Sequence, residues 1–116
     1  MSADLEQFFL RSEGYEVRLA STVGEAEEQW VERRPQLAIV ELMISGGMGV
    51  ELCRRLKRHD GGAVLAVSVL QARDEALAAG ADAFLQKPLD RAELVAVVKE
   101  LLEAGSPVDR RMEEAR

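Results

Sequence analysis

Three polar residues stand at the ends of otherwise apolar stretches in this 116-residue chain: Glu41 after Leu37-Ala38-Ile39-Val40, Ser68 within Ala63 to Val69, and Lys87 after Ala83-Phe84-Leu85-Gln86. A carboxylate, a hydroxyl and an ammonium are a small chemical kit, and its simplest product is an ion pair. At a separation of about 4 Å and an effective dielectric near 20, Glu41 and Lys87 would attract by about 4 kcal/mol, most of which the desolvation of two charges can cancel. A hydrolytic or redox centre cannot be assembled. No Ser-His-Asp or Cys-His arrangement and no paired carboxylates at consecutive strand ends arise from these positions, so the chain is not expected to be an enzyme. His59 stands alone near a turn with no cysteine or second histidine, which argues against a metal site. Gly46, Gly47 and Gly49 fit neither a dinucleotide fingerprint nor a phosphate-cradling loop with its Lys-Ser/Thr, so no cofactor is expected.

The elements that must position these residues can be read from periodicity. Leu5, Phe8 and Phe9 recur at helical spacing, and Gly14 stops that helix. Tyr15 to Ala20 alternates and predicts a strand. Ser21 or Thr22 can cap a second helix, which runs to about Arg33 with Val23, Ala26 and Trp30 inward and ends before Pro35. Leu37 to Val40 and Ala63 to Val69 are uninterrupted apolar runs, the mark of strands buried on both faces. Between them lie a glycine-rich connection, Ser45 to Gly49, a helix from about Val50 to Arg58, and a turn at Asp60-Gly61-Gly62. A short helix over about Ala72 to Ala79, a brief strand at Ala83 to Leu85, and a turn at Lys87-Pro88 follow. Asp90 then caps a last helix with an inward stripe of Leu94, Val97, Val98 and Leu101, closed by Gly105-Ser106-Pro107.

Strands alternating with helices at this spacing imply an α/β three-layer sandwich with a parallel sheet and right-handed crossovers. The working site of such a sheet lies beyond the carboxyl ends of its strands, where Glu41, Ser68 and Lys87 fall. The single domain is expected over residues 1–104, with 105–116 as a charged tail.

Composition limits what this site can serve. Hydrophobic residues make up 47% and charged residues 31%, enough for a real core with a soluble exterior. With 15 Lys+Arg against 21 Asp+Glu the net charge is −6, so an acidic domain should repel nucleic acid on average. The basic run Arg54, Arg55, Lys57, Arg58 reads as a solvated helix face. No uncharged stretch is long enough to cross a bilayer and no basic-then-apolar leader opens the chain, so neither a membrane partner nor secretion is expected. The lone cysteine, Cys53, excludes an internal disulfide and fits a reducing cytoplasm; on the inner face of its helix it reads as a small hydrophobe.

Two stretches carry a resemblance. Pro35 to Cys53 (PQLAIVELMISGGMGVELC) resembles the third strand, phosphorylation loop and third helix of bacterial response-regulator receiver domains, and Gly80 to Leu89 (GADAFLQKPL) resembles the fifth strand with its Lys-Pro signature. The likeness covers roughly residues 3 to 103 and implies a flavodoxin-like, CheY-like fold. For an ordinary member it implies a switch: a partner kinase's phosphohistidine donates to an aspartate ending the third strand, two acids after the first strand hold Mg²⁺, and a hydroxyl and a lysine complete the site. By this resemblance Glu41 falls on the phosphoacceptor position, Ser68 on the hydroxyl, Lys87 on the lysine and Phe84 on an aromatic that moves with the switch.

The departures from that pattern shape the expected function. Glu41 replaces the aspartate, and its extra methylene moves the carboxylate by about 1.5 Å, more than in-line transfer tolerates well. The chain begins at the family's first helix, so the first strand and the acidic pair after it are expected to be missing; Asp4 and Glu6 lie inside the helix and cannot be matched to that pair. Ser45 and Met48 depart from the usual loop, and the connection from Ser68 to Gly80 is about three residues short. The sequence therefore reads as a degenerate receiver, a pseudo-receiver lacking its first strand. The expected function is phosphorylation-independent interaction with another signalling protein, with no catalytic or metal-ligating residue. Glu41 paired with Lys87 could imitate the phosphorylated state. Two alternatives are a phosphoaccepting regulator with an unusual site and an assembly protein that oligomerises through its incomplete sheet. A gap in the sheet leaves three outcomes open: the remaining strands close up into a four-stranded sheet, a strand from a second copy or a partner fills the gap, or Met1 is a misplaced start and the natural chain carries a normal first strand. A homodimer, with strand exchange as one route, is the expectation.

Overall fold

The structure, a computed structural model, describes residues 2–104. The expected closure at Gly105-Ser106-Pro107 and the tail 105–116 lie outside the described residues. The uninterrupted apolar runs form the centre: β1 (Leu37–Glu41), β2 (Ala63–Ser68) and β3 (Ala83–Gln86) make a parallel sheet in the order β1-β2-β3. Every residue of β2 is buried, because it has a strand on each side and helices over both faces. The helices are α1 (Ser2–Ser12), α2 (Val23–Arg33), the single turn α3 (Ile44–Gly47), α4 (Gly49–Arg58), α5 (Arg73–Ala78) and α6 (Arg91–Ala104).

Strand alternation sorts the core into two layers. Val40, Val64 and Ala66 face Trp30 of α2, Leu52 and Leu56 of α4 and Ala76 of α5. On the other face, Leu65, Val67 and Leu85 meet Leu10 of α1 and Leu94 and Val98 of α6. This is the three-layer α/β sandwich, with α2, α4 and α5 on one side of the sheet and α1 and α6 on the other. In α1 the inward residues are Leu10 and, in part, Phe9, whereas Leu5 and Phe8 are exposed. Local signals fix the helix starts. Thr22 Oγ1 accepts from the Glu25 N–H at 3.1 Å while the Glu25 carboxylate accepts from the Ser21 N–H at 2.6 Å, and Asp90 accepts from the Glu93 N–H at 3.0 Å.

The strand expected at Tyr15 to Ala20 does not form. The segment is irregular, and the sheet has three strands among the described residues. Alternation supplies the side-chain pattern of a strand, but a strand also needs a neighbour for its backbone groups. Here a groove of ≈ 540 Å³ runs along the segment and β1 and is lined by both. Side chains take over instead: Arg11 donates to the Val17 carbonyl at 2.9 Å and Gln29 to the Leu19 carbonyl at 3.1 Å. Among the described residues no helix is long and apolar enough to cross a membrane.

Candidate functional site

Parallel strands put their carboxyl ends on one side of the sheet, and the backbone ladder continues past them. The Leu42 N–H donates to the Val67 carbonyl at 3.0 Å, and the Lys87 N–H donates to the Ser68 carbonyl at 2.8 Å. Lys87, preceding a cis peptide to Pro88, is thereby fixed beside the end of β2. Glu41 closes β1 on the other side of β2.

The side chains meet across that end. Lys87 Nζ donates to Glu41 Oε1, and Glu41 Oε2 accepts from the Met43 N–H at 3.2 Å. The Lys87 side chain is 11% exposed and that of Glu41 33%, so the pair is mostly shielded from water on the lysine side. A second carboxylate approaches from α1: Glu6 Oε2 lies 3.7 Å from the same ammonium, within ion-pair range but too far for a hydrogen bond. That oxygen is buried and has no hydrogen-bond partner. Burial pushes the Glu6 carboxyl above the ordinary range. Lys87 pulls it down and the neighbouring Glu41 charge pushes it up again, for a net rise.

The loop after Glu41 is shaped to hold this geometry. Ser45 (φ 50°) and Gly46 (φ 75°) take left-handed backbone within α3. The Gly49 N–H then donates to the Leu42 carbonyl at 3.1 Å, so α4 starts against the strand end. A Cβ at Gly49 would lie 2.3 Å from Leu42 Cα, which explains glycine there.

Ser68 is wholly buried, and its hydroxyl oxygen accepts from the Leu70 N–H at 3.1 Å, closing the turn that leaves β2. Phe84 is buried in the α2–α4–α5 layer with the Arg73 guanidinium 5.6 Å from its ring centre. The structure thus brings Glu41 and Lys87 together, and puts Ser68 and Phe84 in packed positions nearby. Glu6 joins the site from inside a helix, which matching acids to strand ends does not find. The signal that finds it is direction: a helix leading away from the carboxyl side of a sheet carries its first turns there.

The other residues of chemical interest have settled partners. Burial pushes the Cys53 thiol up to about 11. His59 faces Glu27 at 3.2 Å. Arg54 and Arg55 bond Glu51 at 3.3 and 3.4 Å, and Lys57 bonds Asp82 at 3.0 Å, so the basic face of α4 is offset by acids. A hard divalent cation wants several free carboxylate or carbonyl oxygens. Both oxygens of Glu41 are engaged, Glu6 shares the same ammonium, and no three His, Cys, Asp or Glu residues gather in one place among the described residues. This donor set fits such an ion poorly.

The sequence profile of the family described as "Response regulator receiver domain" matches residues 1–99. A phosphate regulon transcriptional regulatory protein PhoB from Rhizobium meliloti is 38% identical over 109 residues, covering 89% of this chain and 48% of the relative. The protein of that name from Pseudomonas aeruginosa is 35% identical over 106 residues, covering 86% and 46%. The chain therefore spans about half the length of these relatives. Among solved structures, a putative response regulator from Chloroflexus aurantiacus superposes with a TM-score of 0.82 at 31% identity, covering 88% of both chains.

Proposed function

Because this chain belongs to the response regulator receiver domain family, we propose that it is a degenerate receiver, which signals by contact with another signalling protein and without being phosphorylated. The observation that carries this reading is the pair between Glu41 and Lys87. Phosphoryl transfer needs cationic groups to neutralise the charge on the equatorial oxygens. The ammonium at this site is held by the chain's own carboxylate, so an incoming phosphoryl group would have to displace it. The same carboxylate is the acceptor that transfer would need, and it is turned toward the lysine and the Met43 N–H.

The contact surface we assign is the face of α5, β3 and α6. Leu77 on α5 is exposed, as are Val69 and Leu70 in the connection that leads to that helix. Apolar side chains left in water beside one short helix suit a protein partner. The reading keeps this domain in the cytoplasm and away from direct contact with nucleic acid.

Incubation with a small phosphodonor and Mg²⁺, followed by intact-mass measurement, tests the proposal. The expected result is no adduct. A stable gain of one phosphoryl group that is lost in Glu41→Gln would overturn it in favour of a phosphoaccepting regulator.

A further inference from the structure

The side of α1 turned away from the sheet carries apolar residues that no described element covers. Leu10 packs inward, in the layer between α1, α6 and the sheet. Phe8 stands two positions earlier, about 200° around the helix, and so faces outward whatever lies beneath α1. It is 64% exposed, the highest value among the large hydrophobic residues described, and Leu5, one turn earlier on the same face, is 53% exposed. The Phe8 ring has a backing. It meets Phe9 edge-on with ring centres 6.3 Å apart, and Phe9 is partly buried with the Arg91 guanidinium 5.8 Å from its own ring. Beside this knob is a hollow: Gln7, Phe8, Arg11 and Ser12 line an open depression of ≈ 530 Å³. A knob and a hollow on one patch make a surface complementary to itself about a two-fold axis.

Charge selects the same face. At a net charge of −6, two copies of the chain repel one another on average. The acids near this patch are already spoken for. Glu6 turns inward to Lys87, and Glu13, just past the end of α1, is held by Arg91 at 3.0 Å and Lys99 at 3.6 Å. Arg11 is the only exposed charge among the described side chains of α1, and its guanidinium donates to the Val17 carbonyl at 2.9 Å. Here two acidic chains can approach without setting carboxylate against carboxylate.

We propose that the outward face of α1 is a docking surface for a second copy of this chain, with the two helices crossing antiparallel at Phe8. The Phe8 ring of each copy enters the hollow of the other and stacks on its Phe8. Positions equally far before and after the axis meet, so Leu5 of one copy lies on the Arg11 stem of the other. The two Arg11 residues fall on opposite sides of the axis, about 9 Å apart along it, which avoids a cation–cation contact. One 11-residue helix offers less than the roughly 800 Å² per partner of a standard interface, so the dimer belongs to the transient class. It leaves exposed Leu77 on α5, in the layer across the sheet, free for another partner. The proposal stands apart from the chemistry at Glu41.

Sedimentation velocity on the full chain, run as a concentration series, tests it. The expected result is a dimer fraction that rises between about 10 µM and 1 mM and persists or grows when added salt screens the repulsion of the two chains. Phe8→Ser should weaken the dimer by about tenfold or more. Its fold should survive, because the ring it removes lies on the solvent side; circular dichroism checks this. Leu5→Gln repeats the test should Phe8→Ser fail to fold. Leu77→Ser, which alters the exposed apolar residue on α5, should leave the dimer unchanged. A strict monomer up to about 1 mM would overturn the proposal and hand this face to a different protein. A dimer insensitive to the folded α1 variants, or one lost in Leu77→Ser, would overturn it as well.

Discussion

Lys87 and Glu41, 46 residues apart in the chain, are joined by their side chains across the carboxyl end of β2, with Glu6 as a second carboxylate 3.7 Å from the ammonium. Among the partners of this cation are thus two acids, brought together at the carboxyl end of the sheet. The arrangement is asymmetric. The lysine side chain is nearly buried, whereas that of Glu41 is one-third exposed.

That asymmetry predicts unequal costs. Lys87→Met leaves two carboxylates facing each other without a cation and should destabilise the fold by about 2–3 kcal/mol, a value held below the fully buried range by the exposure of Glu41. Glu41→Gln keeps an acceptor for the Met43 N–H and relieves Glu6 of a like charge, so it should change stability by less than about 1 kcal/mol. Urea midpoints of the two variants measure the difference.

Glu6 predicts a dependence on pH. Its carboxyl is raised in the folded state, chiefly by burial, so the folded chain holds this proton more tightly than the unfolded chain does. Fewer protons bound in the unfolded state make stability fall as pH rises, from the ordinary glutamate value up through the raised one. Glu6→Gln should remove that falling limb and leave the chain at neutral pH at least as stable as the parent. A series of thermal midpoints from pH 4 upward, run on both proteins, reads it out; an unchanged slope in the variant would assign the limb elsewhere.

Gly49→Ala tests the loop that holds Glu41. The new methyl would lie 2.3 Å from Leu42 Cα and 2.6 Å from the Glu41 carbonyl, contacts that force the backbone apart. A loss of about 2 kcal/mol or more is expected, measured by chemical denaturation.

Asp82 is a further support. Its carboxylate accepts from the buried Val64 N–H at 2.8 Å and from Lys57 at 3.0 Å. Asp82→Ala leaves a buried N–H unpaired and should cost about 1–3 kcal/mol, whereas Asp82→Asn keeps an acceptor and should recover most of it. Denaturation midpoints of the two variants decide.

Much of this architecture was legible because burial on two faces writes itself plainly. The runs Leu37–Val40 and Ala63–Val69 have no polar alternation, and each forms a strand, Leu37–Glu41 and Ala63–Ser68, with Val69 left exposed. The caps at Thr22 and Asp90 were equally visible, since hydroxyl and carboxylate side chains at helix starts have one main use. Tyr15–Ala20 misled for a physical reason. Its alternation reports which side chains face inward, but says nothing of whether a neighbouring strand exists to receive its backbone. Positions after consecutive parallel strands share one side of the sheet, which is what made a meeting of Glu41 and Lys87 foreseeable. Glu6 is not found by matching acids to strand ends; the direction of its helix, whose first turns lie at the carboxyl side of the sheet, is the signal that points to it.

The central claim is that the carboxyl end of the sheet is closed by its own ion pair and does not respond to phosphodonors. Backbone amide spectra recorded before and after addition of Mg²⁺ and a small phosphodonor test it most directly. The account predicts unmoved resonances for Glu41, Ser68, Phe84 and Lys87. Shifts that begin at Glu41 and spread to Phe84, and that vanish in Glu41→Gln, would contradict it.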